Sequence, residues 1–315
     1  MKRIHGHHPV PQPSTVGRLR VVALISLAGL FLSGCATGAR QAAPAPEIAA
    51  ADSVEQLRAQ ALAALETRRA ARAKQLFEAI LTQTPDDAEA LMGLGEAEVL
   101  LGEFGAGLEH SGMAAERAGE RPELKARALH NSGIALLLTE RAQQAEGALE
   151  AAVEHDPRSW RAWNALGRAY DAHRRWEDAR GAYERALALA PAEGAVLNNF
   201  GLSRLSAGDL DQATALFVRA LEASPDLAPA ETNLRLALAL QGRYDEALAG
   251  VAANSMPDAL NNAGYAALLR GDYAKSRALF LQAIEASPSF YEPSFSNLRF
   301  LSSVEQRQAL APRIP

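Results

Sequence analysis

Apolar and small residues recur at helical spacing in the stretch from Trp160 to Pro191, with polar residues between them. Trp163, Leu166 and Tyr170 are separated by three and four positions, so they share one face of a helix. Gly167 lies on that same face, although a glycine in a helix interior costs about 1 kcal/mol relative to alanine. The glycine therefore predicts a place where two helix backbones come close together.

A second helix follows the first, and the pair repeats along the chain. The prolines Pro157, Pro191 and Pro225 mark a period of 34 residues. The first-helix glycine recurs as Gly95, Gly133, Gly167, Gly201 and Gly264. A bulky residue recurs in the second helix as Phe77, Leu149, Tyr183, Phe217 and Val251. Aromatic residues make up only 6% of the chain, which favours close-packed helix pairs over a sheet core.

The order W-x2-L-G-x2-Y, followed by alanine, an aromatic residue and proline, resembles the tetratricopeptide repeat. The resemblance implies an all-α fold, an α-solenoid of about seven helix pairs over residues 51–288. A C-terminal capping helix over residues 289–302 and a flexible tail over residues 303–315 are expected to follow. The sixth pair is two residues short, and Arg235 replaces its glycine.

Two local features carry expectations about helix regularity. Asp156-Pro157 and Ser224-Pro225 predict a capping side chain before a proline at the first helical position. The second helix of the second repeat contains Gly105, Gly107 and Gly112. At about 1 kcal/mol each, these glycines predict an irregular helix.

The chain begins with a pattern typical of a secreted protein. In residues 1–35, Arg18 and Arg20 precede the apolar run 21–32, which is too short to span a bilayer. The run ends in Leu-Ser-Gly-Cys, which resembles the lipobox of bacterial lipoproteins and implies lipidation of Cys35. Alternatively, the signal peptide is cut elsewhere and Cys35, the only cysteine, is incidental.

The residues after Cys35 predict a tether and a location. Residues 36–50 are rich in alanine and proline, without helical periodicity, as in a flexible or semi-extended linker. Ala36 follows the cysteine where an aspartate would favour inner-membrane retention. By resemblance to Gram-negative lipoproteins, this implies an anchor in the inner leaflet of the outer membrane, facing the periplasm.

Charge and motif content argue against several functions. The formal net charge of −5 is unfavourable for nucleic-acid binding, which requires a basic surface. The chain has no glycine-rich phosphate loop, no G-x-S-x-G and no H-E-x-x-H. His110, His130, His155 and His173 fall in different repeats, without ligand spacing. We therefore expect no enzyme activity, no cofactor, no metal site and no small-molecule substrate.

Asparagine recurs at one register of successive first helices, although it is a mediocre helix former. An amide both donates and accepts hydrogen bonds, so a ladder of amides suits an extended peptide backbone. Alternatively, the asparagines bridge adjacent first helices and space them. The predicted partner-binding groove residues are Asn131, Asn164, Arg168, Asn198, Asn199, Asn233, Asn261, Asn262 and Tyr265. Arg127 and Arg161 fall at groove-facing registers as well, where they could capture a carboxylate.

The C-terminal half carries a narrower resemblance. The runs 198–202, 233–238 and 257–265, with the shortened sixth pair, resemble the TadD lipoproteins of the Flp (tight-adherence) pilus system. This resemblance implies a non-enzymatic outer-membrane adaptor that helps the pilus secretin to reach the membrane or to multimerise. The alternative is a lipidated scaffold for other envelope machinery, such as peptidoglycan-modifying enzymes or type IV pilus biogenesis.

Overall fold

The computed structural model describes residues 53–289 and 291–310, and the side chains up to Arg307. In these residues the regular structure is helical, without a strand. Two compact units are distinguished, and each is described by itself. The N-terminal unit comprises residues 53–207 and 219–227, and the C-terminal unit comprises residues 208–218 and 228–310. The predicted signal peptide, Cys35 and the tether lie outside the described residues.

The N-terminal unit is built from antiparallel helix pairs in which every helix packs on the next. We call the odd-numbered helices first helices and the even-numbered ones second helices. First helices also contact the first helix of the next pair. The bounds are α1 Val54–Glu66, α2 Ala70–Gln83, α3 Ala88–Leu101, α4 Phe104–Arg117, α5 Pro122–Leu138, α6 Ala142–His155, α7 Trp160–Ala172, α8 Trp176–Leu189 and α9 Gly194–Ala207.

The C-terminal unit continues the same alternation. Its helices are the start of α10 Leu210–Ala223, then α11 Ala228–Leu240, α12 Tyr244–Leu248, a 3-10 turn Ala253–Ser255, α13 Met256–Arg270, α14 Tyr273–Ala286 and α15 Glu292–Leu310. The predicted all-α helical-repeat fold is confirmed, with seven helix pairs and one terminal helix among the described residues.

The first-helix glycines lie where the second-helix side chains pack. A Cβ atom on Gly167 would lie 2.8 Å from Cε1 of Tyr183, and one on Gly264 would lie 2.7 Å from Cδ1 of Phe280. Both aromatic side chains are fully buried. Protein interiors are close-packed, so any larger residue would displace the second helix. The predicted close approach at these glycines is therefore present.

The glycine-rich second helix of the second repeat is regular, so the expected irregularity is wrong. Helix α4 is an unbroken run of 14 residues. A Cβ on Gly107 would lie 3.0 Å from the carbonyl oxygen of Gly95, and one on Gly95 would overlap Oγ of Ser111. The two backbones meet at these glycines, and close packing offsets the low helix propensity.

The sixth pair departs from the others in its second helix. Helix α12 has only five residues and ends at Leu248, so Val251 lies beyond it. The predicted role of Val251 as the bulky second-helix residue is therefore wrong. Nη1 of Arg235 donates hydrogen bonds to the carbonyl oxygens of Ala247 and Ala249, both at 2.8 Å. Arg235, which replaces the glycine, thus satisfies carbonyl groups at the end of the shortened helix.

Helix starts also differ from the sequence-based expectation. Pro157 precedes α7 by three residues, because Asp156 accepts a hydrogen bond from the Arg158 N–H at 3.0 Å and forms a turn. Ser159 is the actual cap, and its Oγ accepts from the Ala162 N–H at 3.3 Å. Ser224 and Pro225 likewise precede α11 in a turn. Aspartate or serine before proline therefore begins the connecting turn.

The capping helix extends further than predicted. Helix α15 runs from Glu292 to Leu310, so residues 303–310 are helical and the predicted tail boundary at residue 303 is wrong. The extra turns carry an ion pair between Arg277 of α14 and Glu305. Ser302 Oγ donates to the Leu298 carbonyl oxygen at 3.0 Å. Residues 311–315 lie outside the described residues.

Two glycine substitutions test the packing of the repeat. Gly167→Ala forces a methyl group against Tyr183, whereas a Cβ on Gly181 of α8 would have no neighbouring atom within 4 Å. Overpacking costs about 1–3 kcal/mol and a helical Gly→Ala change gains about 1 kcal/mol. We expect Gly167→Ala to lower the free energy of unfolding by about 1 kcal/mol and Gly181→Ala to raise it by a similar amount. Urea denaturation measures both, and equal shifts would contradict the packing account.

Arg235 tests the sixth pair. Arg235→Gly restores the usual repeat residue but removes both hydrogen bonds to the end of α12. We expect a loss of about 1–3 kcal/mol in the free energy of unfolding, since bonds from a charged donor are worth this much. Arg235→Lys keeps the charge and serves as the control, with a smaller loss. A glycine variant as stable as the parent would show that the carbonyl groups find other partners.

Candidate functional site

The predicted asparagine ladder forms hydrogen bonds between neighbouring first helices of the N-terminal unit. Nδ2 of Asn131 in α5 donates to the carbonyl oxygen of Met92 in α3 at 3.3 Å. Nδ2 of Asn199 in α9 donates to Oδ1 of Asn164 in α7 at 3.1 Å. Asn198, beside this pair, is only 7% exposed. These contacts support the spacing interpretation of the ladder, because the amides join one first helix to the next.

The C-terminal unit repeats this bridge with its terminal helix. Oδ1 of Asn261 in α13 accepts hydrogen bonds from Oγ of Ser294 at 3.0 Å and Nδ2 of Asn297 at 2.9 Å, both in α15. Helix α15 therefore takes the place of a further first helix. Asn233 is buried, Asn262 is exposed, and Tyr265 is half-buried against the cluster of Leu268, Phe280 and Leu301.

Basic side chains cluster around His130 in the N-terminal unit. Burial and the positive charges of Arg161, Arg168 and Arg127 together lower the pKa of His130 to about 4, against the opposing effect of a hydrogen bond with Asn131. His130 is therefore neutral at physiological pH. The three arginines belong to α5 and α7, and we call them the arginine patch. Arg168 was predicted as a groove residue, and the structure brings it into electrostatic range of His130.

The arginine patch is accessible to a ligand. Arg127 and Arg161 are exposed and Arg168 is half-buried. The Arg161 guanidinium lies 4.5 Å from the ring centroid of Trp160, a geometry that favours a cation–π contact. Arg127 Nη2 lies 3.7 Å from Oε2 of Glu96, and both side chains reach solvent. Ion pairs at the surface contribute little, so this one leaves Arg127 available.

A carboxylate that the sequence analysis passed over links three helices. Oδ1 of Asp171 in α7 accepts from Oγ of Ser203 in α9 at 2.6 Å, and Oδ2 accepts from the Tyr183 hydroxyl of α8 at 2.8 Å. Burial raises the pKa of Asp171 to about 6, while the two hydroxyl donors and the charges of Arg204 and Arg168 oppose the rise. The carboxylate therefore titrates close to neutral pH.

A second carboxylate lies inside the second repeat. Glu98 is only 2% exposed, and its carboxylate lies 2.8 Å from Nδ1 of His110 and 3.7 Å from Nζ of Lys74. Glu98 follows Gly95 by three positions, which is the register that Tyr170 occupies after Gly167. A charged residue at a register that is apolar in other repeats is the sequence feature that could have indicated this buried ion pair.

Within residues 53–289 and 291–310, no three or more histidine, cysteine, aspartate or glutamate side chains are grouped to hold a metal ion. Over the same part of the chain, no helix combines the length and apolar character needed to cross a membrane.

The comparisons with known proteins agree on the repeat. The tetratricopeptide repeat family model matches residues 58–122, 130–194, 198–255 and 241–289. A comparison with curated protein sequences finds no match.

Solved structures resemble the fold at low sequence identity. A thermophilic tetratricopeptide protein of Thermus thermophilus is 23% identical, with a TM-score of 0.51 over 62% of this chain and 99% of that one. A repeat protein of Parabacteroides merdae is 13% identical, with a TM-score of 0.52 over 79% and 98%. The C-terminal part of a Cytophaga hutchinsonii repeat protein is 16% identical, with a TM-score of 0.53 over 75% and 97%. These likenesses concern the fold alone.

The raised pKa of Asp171 predicts a pH-dependent stability. A carboxylate that binds its proton more tightly in the folded state stabilises the fold below pH 4, and this contribution is lost as the pH rises through about 6. In the wild type we expect Asp171 to lower the free energy of unfolding by about 2–3 kcal/mol between pH 4 and pH 7. We expect this decrease to be absent in Asp171→Asn, which keeps one oxygen acceptor but does not titrate. His130, with its lowered pKa, acts in the opposite direction and is unchanged in both proteins. Urea denaturation across this range measures the difference, and parallel profiles would contradict the assignment.

Proposed function

The chain belongs to the tetratricopeptide repeat family, and on that premise we propose that it is a non-enzymatic adaptor that binds protein partners along its first helices. Repeat proteins of this kind present an extended surface to which several helices contribute. The described residues offer such a surface and no group of side chains suited to metal chemistry. Binding, rather than turnover, is the function that this arrangement supports.

One observation carries the proposal. Side-chain amides join neighbouring first helices at a fixed register, as Asn131 does to Met92 and Asn199 does to Asn164. Exposed side chains of these helices, such as Arg127 and Arg161, are consequently held on a rigid support. A pre-organised surface loses little conformational entropy when a partner binds.

The finer part of the proposal concerns location. We propose that the protein lies at the inner leaflet of the outer membrane, with a lipid on Cys35 and residues 36–50 as the tether. The location, the lipid and the tether are all inferred from the sequence pattern. A tether of this kind keeps the folded part close to the membrane and raises its effective concentration toward partners in the same membrane. No new protein contact is needed for this gain.

The proposed partner is the secretin of a Flp (tight-adherence) pilus, or another component of that system. The supporting features are the sequence runs of the C-terminal half and the shortened sixth pair, in which α12 has five residues. Arg235, in place of the usual glycine, departs from the pattern of that family. In this role the adaptor helps the secretin to reach the outer membrane or to multimerise there.

Secretin multimers in outer-membrane fractions test this function. We compare the wild type, a deletion strain and Cys35→Ala, with immunoblotting of multimers that resist detergent. The multimers are expected to disappear in the deletion and to decrease in Cys35→Ala, since the unanchored protein loses the effective concentration that the lipid provides. Folding of Cys35→Ala is checked by its protease resistance.

Unchanged multimers in both strains would exclude the secretin role. Co-purification of the protein with a peptidoglycan hydrolase, rather than with pilus components, would instead assign it to cell-wall machinery. Multimers that vanish in the deletion but persist in Cys35→Ala would retain the adaptor role and refute the lipid anchor.

A further inference from the structure

The first helices of the N-terminal unit differ sharply in charge. Helix α3 carries three acidic side chains and no basic one. Helix α5 carries Lys125 and Arg127, and no acidic residue follows Glu123. Helix α7 carries Arg161 and Arg168, with Asp171 as its only acidic residue. A basic surface on α5 and α7 thus stands out in a chain with a formal net charge of −5.

Arg127 of α5 and Arg161 of α7 occupy equivalent positions of neighbouring repeats. Arg127 precedes Gly133 by six positions, and Arg161 precedes Gly167 by six. Arg161 and Arg168 are seven positions apart, so they lie two turns apart on one face of α7. The contacts of α5 with α7 bring these faces side by side.

Two observations show that these charges converge and are poorly neutralised. All three arginines act on His130, which lies in α5 beside Asn131. The nearby carboxylate of Asp171 interacts with the charge of Arg168, but it is buried and is shared with Arg204 and with the hydroxyl groups of Ser203 and Tyr183. Among the described residues, the carboxylate that pairs with Arg127 is that of Glu96, at 3.7 Å and open to solvent.

We propose that Arg127, Arg161 and Arg168 bind an acidic segment of the partner protein, whose carboxylates pair with the guanidinium groups. This inference rests on the proposed adaptor function and specifies the chemistry of its partner. A guanidinium group binds a carboxylate through two parallel hydrogen bonds and remains charged at every physiological pH. Three of them on two stacked helices suit a segment that carries several carboxylates.

The surroundings of the patch favour a short acidic peptide over a long polyanion. Glu96 of the adjoining helix α3 would repel a nucleic acid that extended beyond the patch. The rest of the protein is acidic as well, and nucleic-acid binding needs a continuous basic footprint. A peptide can place two or three carboxylates on the patch and continue with neutral residues.

Fluorescence anisotropy with the purified full-length chain tests the patch. The probe is a labelled 12-residue peptide with four glutamates, and its matched control has glutamine at those positions. The assay runs at pH 7.5, where His130 is neutral. We expect Arg161→Gln with Arg168→Gln to weaken binding of the acidic peptide by about tenfold or more, and the glutamine peptide to bind weakly to every variant.

The matched control is Arg185→Gln with Arg219→Gln, two exposed arginines on second helices. It removes the same net charge and is expected to change the affinity by less than about twofold. Circular dichroism and thermal unfolding establish that both double variants are folded.

Several outcomes would overturn the patch. The proposal is overturned if the wild type does not bind the acidic peptide, or if the two double variants lose the same affinity for it. It is also overturned if a 12-nucleotide single-stranded DNA binds more tightly than the acidic peptide and this binding depends on the same arginines. The adaptor function fails separately: it is refuted if the wild type captures no pilus or envelope protein. Capture that persists undiminished in Arg161→Gln with Arg168→Gln refutes the patch and leaves the adaptor function standing.

Discussion

The contact between a first-helix glycine and a bulky second-helix side chain is the constraint on which the third, fourth and seventh helix pairs depend. At Gly167 and Tyr183 the glycine leaves the space that the ring fills, and the ring is fully buried. The same relation holds for Gly264 and Phe280. In these pairs the side chain fills the space beside the glycine, so packing offsets the low helix propensity of glycine. A fixed pair geometry then allows successive pairs to stack on each other.

The sixth pair shows what happens when that constraint is absent. Arg235 occupies the glycine position, and α12 ends at Leu248, before Val251, where the repeat pattern places the bulky residue. Carbonyl groups at the end of this short helix need donors, and the Arg235 guanidinium supplies them. The substitution and the shortening are therefore two parts of one local solution, in which hydrogen bonds to a charged group replace apolar packing.

The period, the helix pairs and the glycine positions could be predicted from the sequence because they recur along the chain at a regular spacing. Features that depend on turn chemistry or on contacts between helices were missed. The start of α7 depends on a turn at Asp156 and on the cap at Ser159, and proline alone does not distinguish a turn from a first helical position. The length of α15 depends on its pairing with α14 through Glu305. The hydrogen bonds of Asp171 join three helices, and only the folded chain brings those donors together.

The predicted site residues fall into two groups, the asparagines that bond between helices and the arginines that reach solvent. Asparagine recurs at a register where first helices meet, and a buried amide must find partners, so the amides of Asn131 and Asn199 are used between helices. Long basic side chains follow a different rule, because their apolar stems pack while their charged ends remain in water. Arg127 and Arg161 therefore keep their guanidinium groups accessible on a support that the amides hold in place. Register alone could not separate the residues that join first helices from those whose charged ends remain in water; burial and charge separate them.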